Sequence, residues 1–185
     1  MKTSYYTRKG DDGSSGLFGI SDRFPKDDAL FDLLGTLDEL NAWLGLCKAS
    51  CNTFGAKDSE LIKNSLEQNQ EYIFIIQAEI AGSKKTLTEI HLHDIEKSID
   101  QISEHLIPSH SFYIPGGCVL SSFLDIARTV ARRCERIFLK AHKKHVFQNL
   151  IISAYLNRLS SLLYVLVRFV NQQKNIAEKS PHYSP

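Results

Sequence analysis

Charge of a single sign and long apolar runs are both missing from this 185-residue chain. Lys and Arg total 22 against 21 Asp and Glu, and the resulting net charge of +1 does not favour bulk nucleic-acid binding. No apolar run approaches the length of a membrane span, and the N-terminus has neither an apolar signal segment nor an Arg- and Ser-rich leader. We therefore expect a cytoplasmic protein without a nucleic-acid or membrane partner.

Cysteine is scarce too. The four cysteines are Cys47, Cys51, Cys118 and Cys134. This density does not indicate a disulfide framework, and no second close pair completes a zinc site with the first two. Two close histidine pairs lie among Lys, Asp and Glu, which is typical of solvated helix faces. We expect free thiols that pack as small hydrophobic groups, and no metal site built from protein side chains.

Helical periodicity fills most of the chain. Apolar side chains recur at three-to-four spacing in five segments, and no segment shows the sustained alternation of a strand. The predicted helices span about 26–49, 58–81, 87–106, 118–142 and 147–173. Short connections between long amphipathic helices favour an all-α, up-and-down five-helix bundle. We expect a single domain, 1–185, whose bundle covers 26–173 and whose polar tail, 174–185, frays.

Residues with capping preferences predict several helix ends. Asp58 or Ser59 is the expected N-cap of the second helix, and Thr88 that of the third. Gly82 is the expected stop signal after the second helix. The apolar stripe of the second helix predicts that Leu61 is buried.

A glycine-rich segment precedes the first helix. Glycine occupies every third position from 10 to 19, between basic, acidic and hydroxyl side chains. Glycine permits positive φ and close backbone approach to a ligand, so such a loop can direct several N–H groups at one anion. Thr7, Ser14 and Ser15 supply further donors.

This segment is neither a P-loop nor a dinucleotide fingerprint, because it has no G-x-x-x-x-G-K-[ST] pattern and no βαβ context. A flexible N-terminal tail is the alternative interpretation. We interpret residues 1–25 as an extended phosphate-binding arm that continues through Lys26 into the first helix.

Arginines form a ridge on the fourth predicted helix. Arg128, Arg132 and Arg136 stand four residues apart, and Arg133 and Glu135 flank them. A solvated face with an internal Arg–Glu pair would account for this pattern. Guanidinium groups also suit bidentate contacts with phosphate, and only one acid lies within the cluster. We favour anion binding.

Polar side chains also interrupt two other apolar stripes. Asp38 and Glu39 lie in the first helix and could pair with the arginines, within a chain or across a subunit contact. Asn157 lies in the fifth helix, where it could contact a ribose or a base edge, or satisfy backbone at a helix contact.

An aromatic pair lies on the loop before the arginine helix. Phe112 and Tyr113 precede Pro115 and two glycines, which prevent regular structure there. The pair could act as a hydrophobic staple for the helix or form one wall of an apolar pocket.

Three separated blocks together resemble the PduO-type cob(I)alamin adenosyltransferases. The first block comprises YTRKGDDG at 6–13, PKDD at 25–28 and GTLDELN at 35–41. The second comprises FYIPGG at 112–117 and ARTVARRCER at 127–136, and the third is YLNRLS at 155–160. The likeness covers residues from about 5 to 172.

This resemblance implies a homotrimer of five-helix bundles with active sites between subunits. It implies an enzyme, a transferase that moves the 5′-deoxyadenosyl group of ATP to cobalt(I) of a corrinoid and releases triphosphate. ATP is the co-substrate and cobalamin is the substrate. Mg²⁺ is bound mainly by the phosphates of ATP. A corrinoid reductase and an adenosylcobalamin-dependent enzyme are the implied partners. The alternative is a non-catalytic nucleotide or corrinoid carrier or sensor.

The resemblance also implies roles for individual residues. The ATP-binding set is Thr7, Arg8, Lys9, Gly10, Asp12, Ser15, Gly16, Lys26, Arg132, Arg133, Glu135, Arg136 and Asn157. The catalytic set is Arg132, Arg128, Asp38 and Phe112. Asp38 and Arg128 form an intersubunit ion pair that shapes the corrinoid side, and Phe112 lies under the corrin, where it helps to exclude the lower axial ligand.

Overall fold

The computed structural model describes residues 5–53, 55–109, 111–145 and 147–183. The ends of the predicted arm and tail (1–4 and 184–185) and one residue of the aromatic loop (110) lie outside these ranges. Within them, the five helices are α1 (Ala29–Ala49), α2 (Ala56–Ile80), α3 (Glu89–Ser103), α4 (Val119–His145) and α5 (Ile151–Gln173). The predicted all-α class and five-helix architecture are confirmed.

The helices pack around α4 and α5. Helix α4 lies against both α1 and α5, α3 packs on the other side of α5, and α2 packs on α1. The start of α1 meets the end of α4, where Asp28 contacts Lys144 and His145, so these two helices run antiparallel. A short 3₁₀ turn, Ser50–Thr53, extends α1.

A small hairpin precedes the bundle. Strand β1 (Ser14–Gly16) pairs antiparallel with β2 (Arg23–Pro25), with Ser15 opposite Phe24. Because β2 ends at Pro25, α1 begins at Ala29, three residues later than predicted. Asp28 is its N-cap, and its carboxylate accepts a hydrogen bond from the Leu30 N–H at 2.9 Å.

The predicted start of α2 is wrong by two residues. The helix begins at Ala56, so Asp58 and Ser59 lie in its first turn, and the Ser59 hydroxyl donates to the Cys51 carbonyl at 2.7 Å. Leu61 is 38% exposed, so its predicted burial is wrong, and the buried face of α2 includes Ile62, Ile73, Ile76 and Ile80. Leu61 and Ile62 are adjacent in the chain and point in different directions around the helix, and the helix buries the second of them.

Two predicted end signals are confirmed. Gly82 has φ +91° immediately after α2, a conformation that favours glycine. Thr88 is the N-cap of α3, and its N–H donates to Nδ1 of His91 at 3.0 Å. His91 thus takes the place that Glu or Gln takes in a capping box.

The core consists of the apolar stripes of the five helices. Tyr155 is fully buried in it, and its hydroxyl donates to Oδ1 of Asn69 at 2.6 Å. All four cysteines are free. Burial raises the pKa of Cys47 and of Cys134 to about 12, so both remain protonated and pack as small apolar groups.

The tail after α5 is not frayed over its described part. The Ile114 N–H donates to the Lys179 carbonyl at 2.9 Å, and Glu178 pairs with Arg168 of α5. The prediction failed because a polar composition says nothing about pairing with charges on other elements. Glu178 and Lys179 thereby lie beside the aromatic loop.

Candidate functional site

The hairpin folds the arm back on itself. Gly13 has φ +81°, and its carbonyl accepts a hydrogen bond from the Lys26 N–H at 2.9 Å. The Lys26 ammonium donates to the Gly10 carbonyl at 2.6 Å. A Cβ at Gly10 would lie 3.0 Å from that ammonium and 3.1 Å from the Ser14 carbonyl oxygen, so the loop closes tightly around this glycine. The predicted residues Gly10 and Lys26 therefore lie together.

Arg23 organises the arm, although the sequence analysis assigned it no role. Its Nε donates to Ser14 Oγ at 2.7 Å, and its Nη2 donates to the carbonyls of Lys9 and Ser14 at 2.6 and 2.9 Å. Asp12 accepts hydrogen bonds from the Ser14 hydroxyl and N–H, and these lower the pKa of its carboxyl. Arg23 stands opposite Gly16 in the hairpin. Its role could be predicted only by someone who already knew that the two strands pair.

Arg8 has an unusual backbone conformation for a residue with a side chain. Its φ is +60°, and its guanidinium lies 5.4 Å from the centroid of the Tyr6 ring. Left-handed backbone costs free energy in a non-glycine residue and often marks functional loops. Thr7, Arg8 and Lys9 are all exposed, so their side chains are accessible to a ligand.

Asp28 anchors the base of the arm. Its carboxylate is buried and accepts hydrogen bonds from Lys144 Nζ at 2.6 Å and from His145 Nε2 at 2.7 Å. The Lys144 ammonium, the Leu30 N–H and His145 hold the pKa of Asp28 well below its usual range. The arm is thereby fixed to the C-terminal end of α4.

The arginine ridge begins nearer the other end of α4. Arg128 Nε donates to Asp125 at 2.9 Å, and both side chains are largely buried. Arg132 and Arg136 are exposed. Asp125 was not predicted as a site residue, and its spacing of three from Arg128 on one helix was the available signal.

Other predicted residues pair across helices. Arg133 forms an ion pair with Glu39 of α1, as predicted for the acids of that helix. Glu135 accepts a hydrogen bond from Asn157 Nδ2 of α5 at 3.1 Å, so the single acid within the ridge is oriented toward an amide. The carboxylate and the amide lie on the same side of the α4–α5 pair.

A cleft of about 580 Å³ lies between the ridge, α5 and the aromatic loop. The lining residues include Phe112, Tyr113, Asp125, Arg128, Arg132, Tyr164, Arg168, Asn171 and Glu178. Phe112 is 81% exposed at its rim. The Tyr113 hydroxyl shares a hydrogen bond with Ser109 at 2.5 Å, which lowers the pKa of Tyr113. The cleft thus combines aromatic surface with three guanidinium groups, those of Arg128, Arg132 and Arg168.

The two halves of the predicted ATP site are separated along α4. Arg132 precedes Lys144, where the arm is anchored, by twelve residues, which is about 18 Å of helix. The side chains of Arg23 and Lys26 bond to groups within the arm, and Arg128 bonds to Asp125 of its own helix. Asp38 is exposed on α1, and Arg128 pairs with Asp125 within its own chain.

A profile of the cobalamin adenosyltransferase family matches residues 5–170. The chain belongs to this family. A corrinoid adenosyltransferase from Citrobacter freundii is 35% identical over 88% of this chain and 92% of its own length. Corrinoid adenosyltransferase PduO from Salmonella typhimurium is 36% identical over 96% of this chain, which spans about half (54%) of that relative.

Solved structures of the family have the same fold. A variant PduO-type ATP:corrinoid adenosyltransferase from Lactobacillus reuteri, complexed with cobalamin and ATP, superposes with a TM-score of 0.88 at 26% identity, over 97% of this chain and 100% of that chain. A second variant of the enzyme from the same organism, complexed with ATP, superposes with a TM-score of 0.84 at 27% identity, over 96% of this chain and 99% of that chain. The family predicted from the sequence blocks is confirmed.

Membrane-spanning helices and metal-binding clusters are both absent from the described residues. None of the helices there combines the length and apolar character that a membrane crossing requires. In the same ranges, no three His, Cys, Asp or Glu side chains converge in a metal-binding cluster.

Proposed function

We propose that the arm of one subunit and the arginine ridge of a neighbouring subunit together form the ATP site of a homotrimer. As a member of its family, the chain is a corrinoid adenosyltransferase that uses ATP and a corrinoid. The observation behind the shared site is where the arm is anchored: Asp28 at its base contacts Lys144, twelve residues or about 18 Å of helix beyond Arg132. A second copy of the chain can bring its own arm to this ridge and so complete the site.

The arm is suited to the triphosphate. Lys26 and Arg23 already bond to backbone carbonyls of the loop, which holds the loop's curvature before ligand arrives. Thr7, Arg8 and Lys9 expose a hydroxyl and two positive charges on the same loop. On binding, the Lys26 ammonium exchanges a carbonyl for a phosphate oxygen, an interaction strengthened by the negative charge. Asp12, Ser15 and Gly16 complete the loop.

The ridge is suited to the leaving group and the nucleoside. Arg132 and Arg136 present guanidinium groups on the exposed face of a packed helix, where little reorganisation is needed to receive charge. Arg133 is held by Glu39. Glu135 fixes the Asn157 amide, whose orientation then suits recognition of a ribose or base edge.

The cleft is suited to the corrinoid side. Phe112 presents an exposed ring at the rim of the cleft, which Arg128 also lines. Within the chain Arg128 pairs with Asp125. In the trimer, Asp38 of the partner subunit adds a second carboxylate to Arg128 and links the cleft to the adjoining ATP site.

The reaction needs alignment and charge neutralisation more than acid–base catalysis. Cobalt(I) of the substrate is itself a strong nucleophile, and its electron pair forms the cobalt–carbon bond to C5′. The C5′–O bond breaks at the same time, and triphosphate departs with the electron pair of that bond. The arm aligns C5′ and the arginines stabilise the triphosphate. Mg²⁺ is held mainly by the ATP phosphates, and it supplies additional neutralisation of the leaving group.

The cellular setting follows from this chemistry. A reductase must supply the low-valent corrinoid, and an adenosylcobalamin-dependent enzyme consumes the product. Both partners and a cytoplasmic location are predictions from the family resemblance.

The first test is an anaerobic absorption spectrum of the protein with chemically reduced cobalamin and MgATP. Conversion to the light-sensitive adenosylcobalamin spectrum is the expected result. Folded protein that binds ATP and cobalamin without conversion would contradict the proposal and favour a carrier or sensor. Light scattering gives the subunit number in the same preparation, and a trimer is expected.

Complementation between two inactive variants tests the shared site. Lys26→Ala disables the arm and Arg132→Ala disables the ridge. In mixed trimers, some sites combine an intact arm from one chain with an intact ridge from the other, so activity is expected to return. If each site lay within one chain, every site would keep one defect and mixing would restore nothing.

A further inference from the structure

Arg168 of α5 lies where the aromatic loop and the C-terminal tail meet. Only 15% of its side chain is exposed. Its guanidinium carbon is 4.0 Å from the centroid of the Tyr113 ring, and it also forms an ion pair with Glu178, whose side chain is 13% exposed. One buried cation therefore contacts both segments at once.

Neighbouring contacts join the same two segments. Asn171, one turn further along α5, donates from its amide to Glu178 at 2.8 Å. The Ile114 N–H of the loop donates to the Lys179 carbonyl of the tail at 2.9 Å. A Cβ at Gly117 would collide with the Asn171 side chain, so the loop passes close to α5. Loop, tail and helix thus form one hydrogen-bonded unit.

Phe112 depends on this unit for its position. Its ring is 81% exposed and therefore has little packing of its own to fix it. The next residue, Tyr113, is held between Arg168 and the Ser109 hydroxyl. The direction in which Phe112 leaves the backbone is consequently set by a contact made one residue away.

We propose that Arg168 is a positioning residue that sets the presentation of Phe112 to the corrinoid by holding Tyr113 and Glu178 together. This inference rests on the proposed function and on the role that the family resemblance implies for Phe112, which is to help exclude the lower axial ligand of cobalt. Lysine would not replace Arg168 fully, because an ammonium can pair with Glu178 but lacks the planar face that stacks on Tyr113.

The test combines hydrogen exchange with kinetics on the full-length protein. In Arg168→Met, exchange of the Ile114 amide is expected to accelerate about tenfold or more, while amides of α1 stay unchanged. Turnover starting from cobalt(II) is expected to fall about tenfold, whereas turnover from chemically reduced cobalt(I) and the KM for ATP change by less than about twofold. Arg168→Lys should recover part of the cobalt(II) activity.

Two further variants separate positioning from general stability. Tyr113→Leu removes the stacked ring and its hydroxyl contact with Ser109 but leaves the Arg168–Glu178 pair in place, and it should show the same selective loss of turnover from cobalt(II). Lys48→Met breaks a remote ion pair with Glu67 and should alter neither Ile114 exchange nor the cobalt(II) rate.

Unchanged Ile114 exchange in Arg168→Met would overturn the inference, as would an equal loss of rate from both cobalt states. Wild-type protein that fails to react even with cobalt(I) would overturn the proposed function itself. The positioning of the loop then stands or falls on the exchange measurement alone.

Discussion

The middle and the C-terminal end of α4 hold their candidate functional groups in different ways. At the C-terminal end, the arm is a small hairpin whose polar side chains bond to its own backbone, and Asp28 anchors its base. In the middle, the arginines extend from a helix whose opposite face is packed, with Ala127, Ala131 and Cys134 buried. We therefore expect the ridge to act through charge at fixed positions, and the arm to depend on keeping its loop in shape.

Removal of one ridge charge should have the largest effect. We expect Arg132→Ala to fold normally and to lose about 10²–10³ in kcat, or roughly 2–4 kcal/mol of barrier stabilisation, by analogy with other preorganised donors. Steady-state kinetics with varied MgATP measure the loss. Lys140→Ala, two turns along the same helix and also exposed, is the matched control. If the rate and its dependence on ATP concentration were unchanged, Arg132 would not be part of the ATP site.

The exposed ring at the rim of the cleft should come next. Phe112→Ala is expected to retain ATP affinity but to slow turnover from cobalt(II) by about tenfold or more, because the apolar wall that displaces the lower ligand is lost. The assay compares cobalt(II) plus reductant with chemically reduced cobalt(I). Ile107→Ala, another exposed apolar residue, serves as the control. Equal activity of mutant and parent from cobalt(II) would exclude this role.

Loss of the arm's organiser should affect binding more than chemistry. In Arg23→Gln the hydrogen bonds to Ser14 and to the Lys9 carbonyl are weakened, so the loop spends less time in the shape that receives phosphate. The KM for ATP should rise about tenfold, with kcat nearly unchanged. A fall in kcat at constant KM would mean that the arm acts in the transition state, like the ridge.

The anchor of the arm should give a smaller, pH-dependent change in stability. Asp28→Asn keeps an N-cap but loses the charge that pairs with Lys144 and His145, and should cost about 1 kcal/mol or less at pH 7. Folding lowers the pKa of Asp28 from 3.8, so its ionised form stabilises the folded state. This contribution to the free energy of unfolding is complete above pH 3.8 and is lost as the pH falls below that value.

Thermal melts at pH 7 and near pH 3 measure this effect. The gap in Tm between wild type and Asp28→Asn should narrow at the lower pH. Asp27→Asn, at the exposed neighbouring position, should melt like wild type at both. A gap of equal size at both pH values would show that the charge of Asp28 does not carry the stabilisation.

Thiol modification should have the smallest effect on the native protein. Cys47, Cys51 and Cys134 are buried, and burial raises the pKa of each thiol. A colorimetric thiol reagent should therefore label only Cys118 quickly, and the other three after unfolding. Rapid labelling of more than one thiol would show that the core around the buried cysteines opens readily in the native protein.

Local patterns predicted features that depend on near neighbours in the chain. The apolar stripes of α1, α4 and α5, the stop at Gly82 and the cap at Thr88 follow from spacing and residue type. The position of Leu61 and the order of the tail were predicted wrongly, and Arg23, Asp125 and Arg168 received no role. Most of these depend on partners in other elements, such as the hairpin for Arg23 and the tail for Arg168.

The sequence by itself determined the five-helix class, the family and the set of candidate site residues, because helical periodicity and motif order are properties of the chain alone. Only the tertiary structure decided that the arm is a hairpin held by Arg23 and Asp28, and that its base is anchored at Lys144, about 18 Å along α4 from Arg132. Distances between elements result from how packed helices cross, and the partners of buried charges follow from that packing.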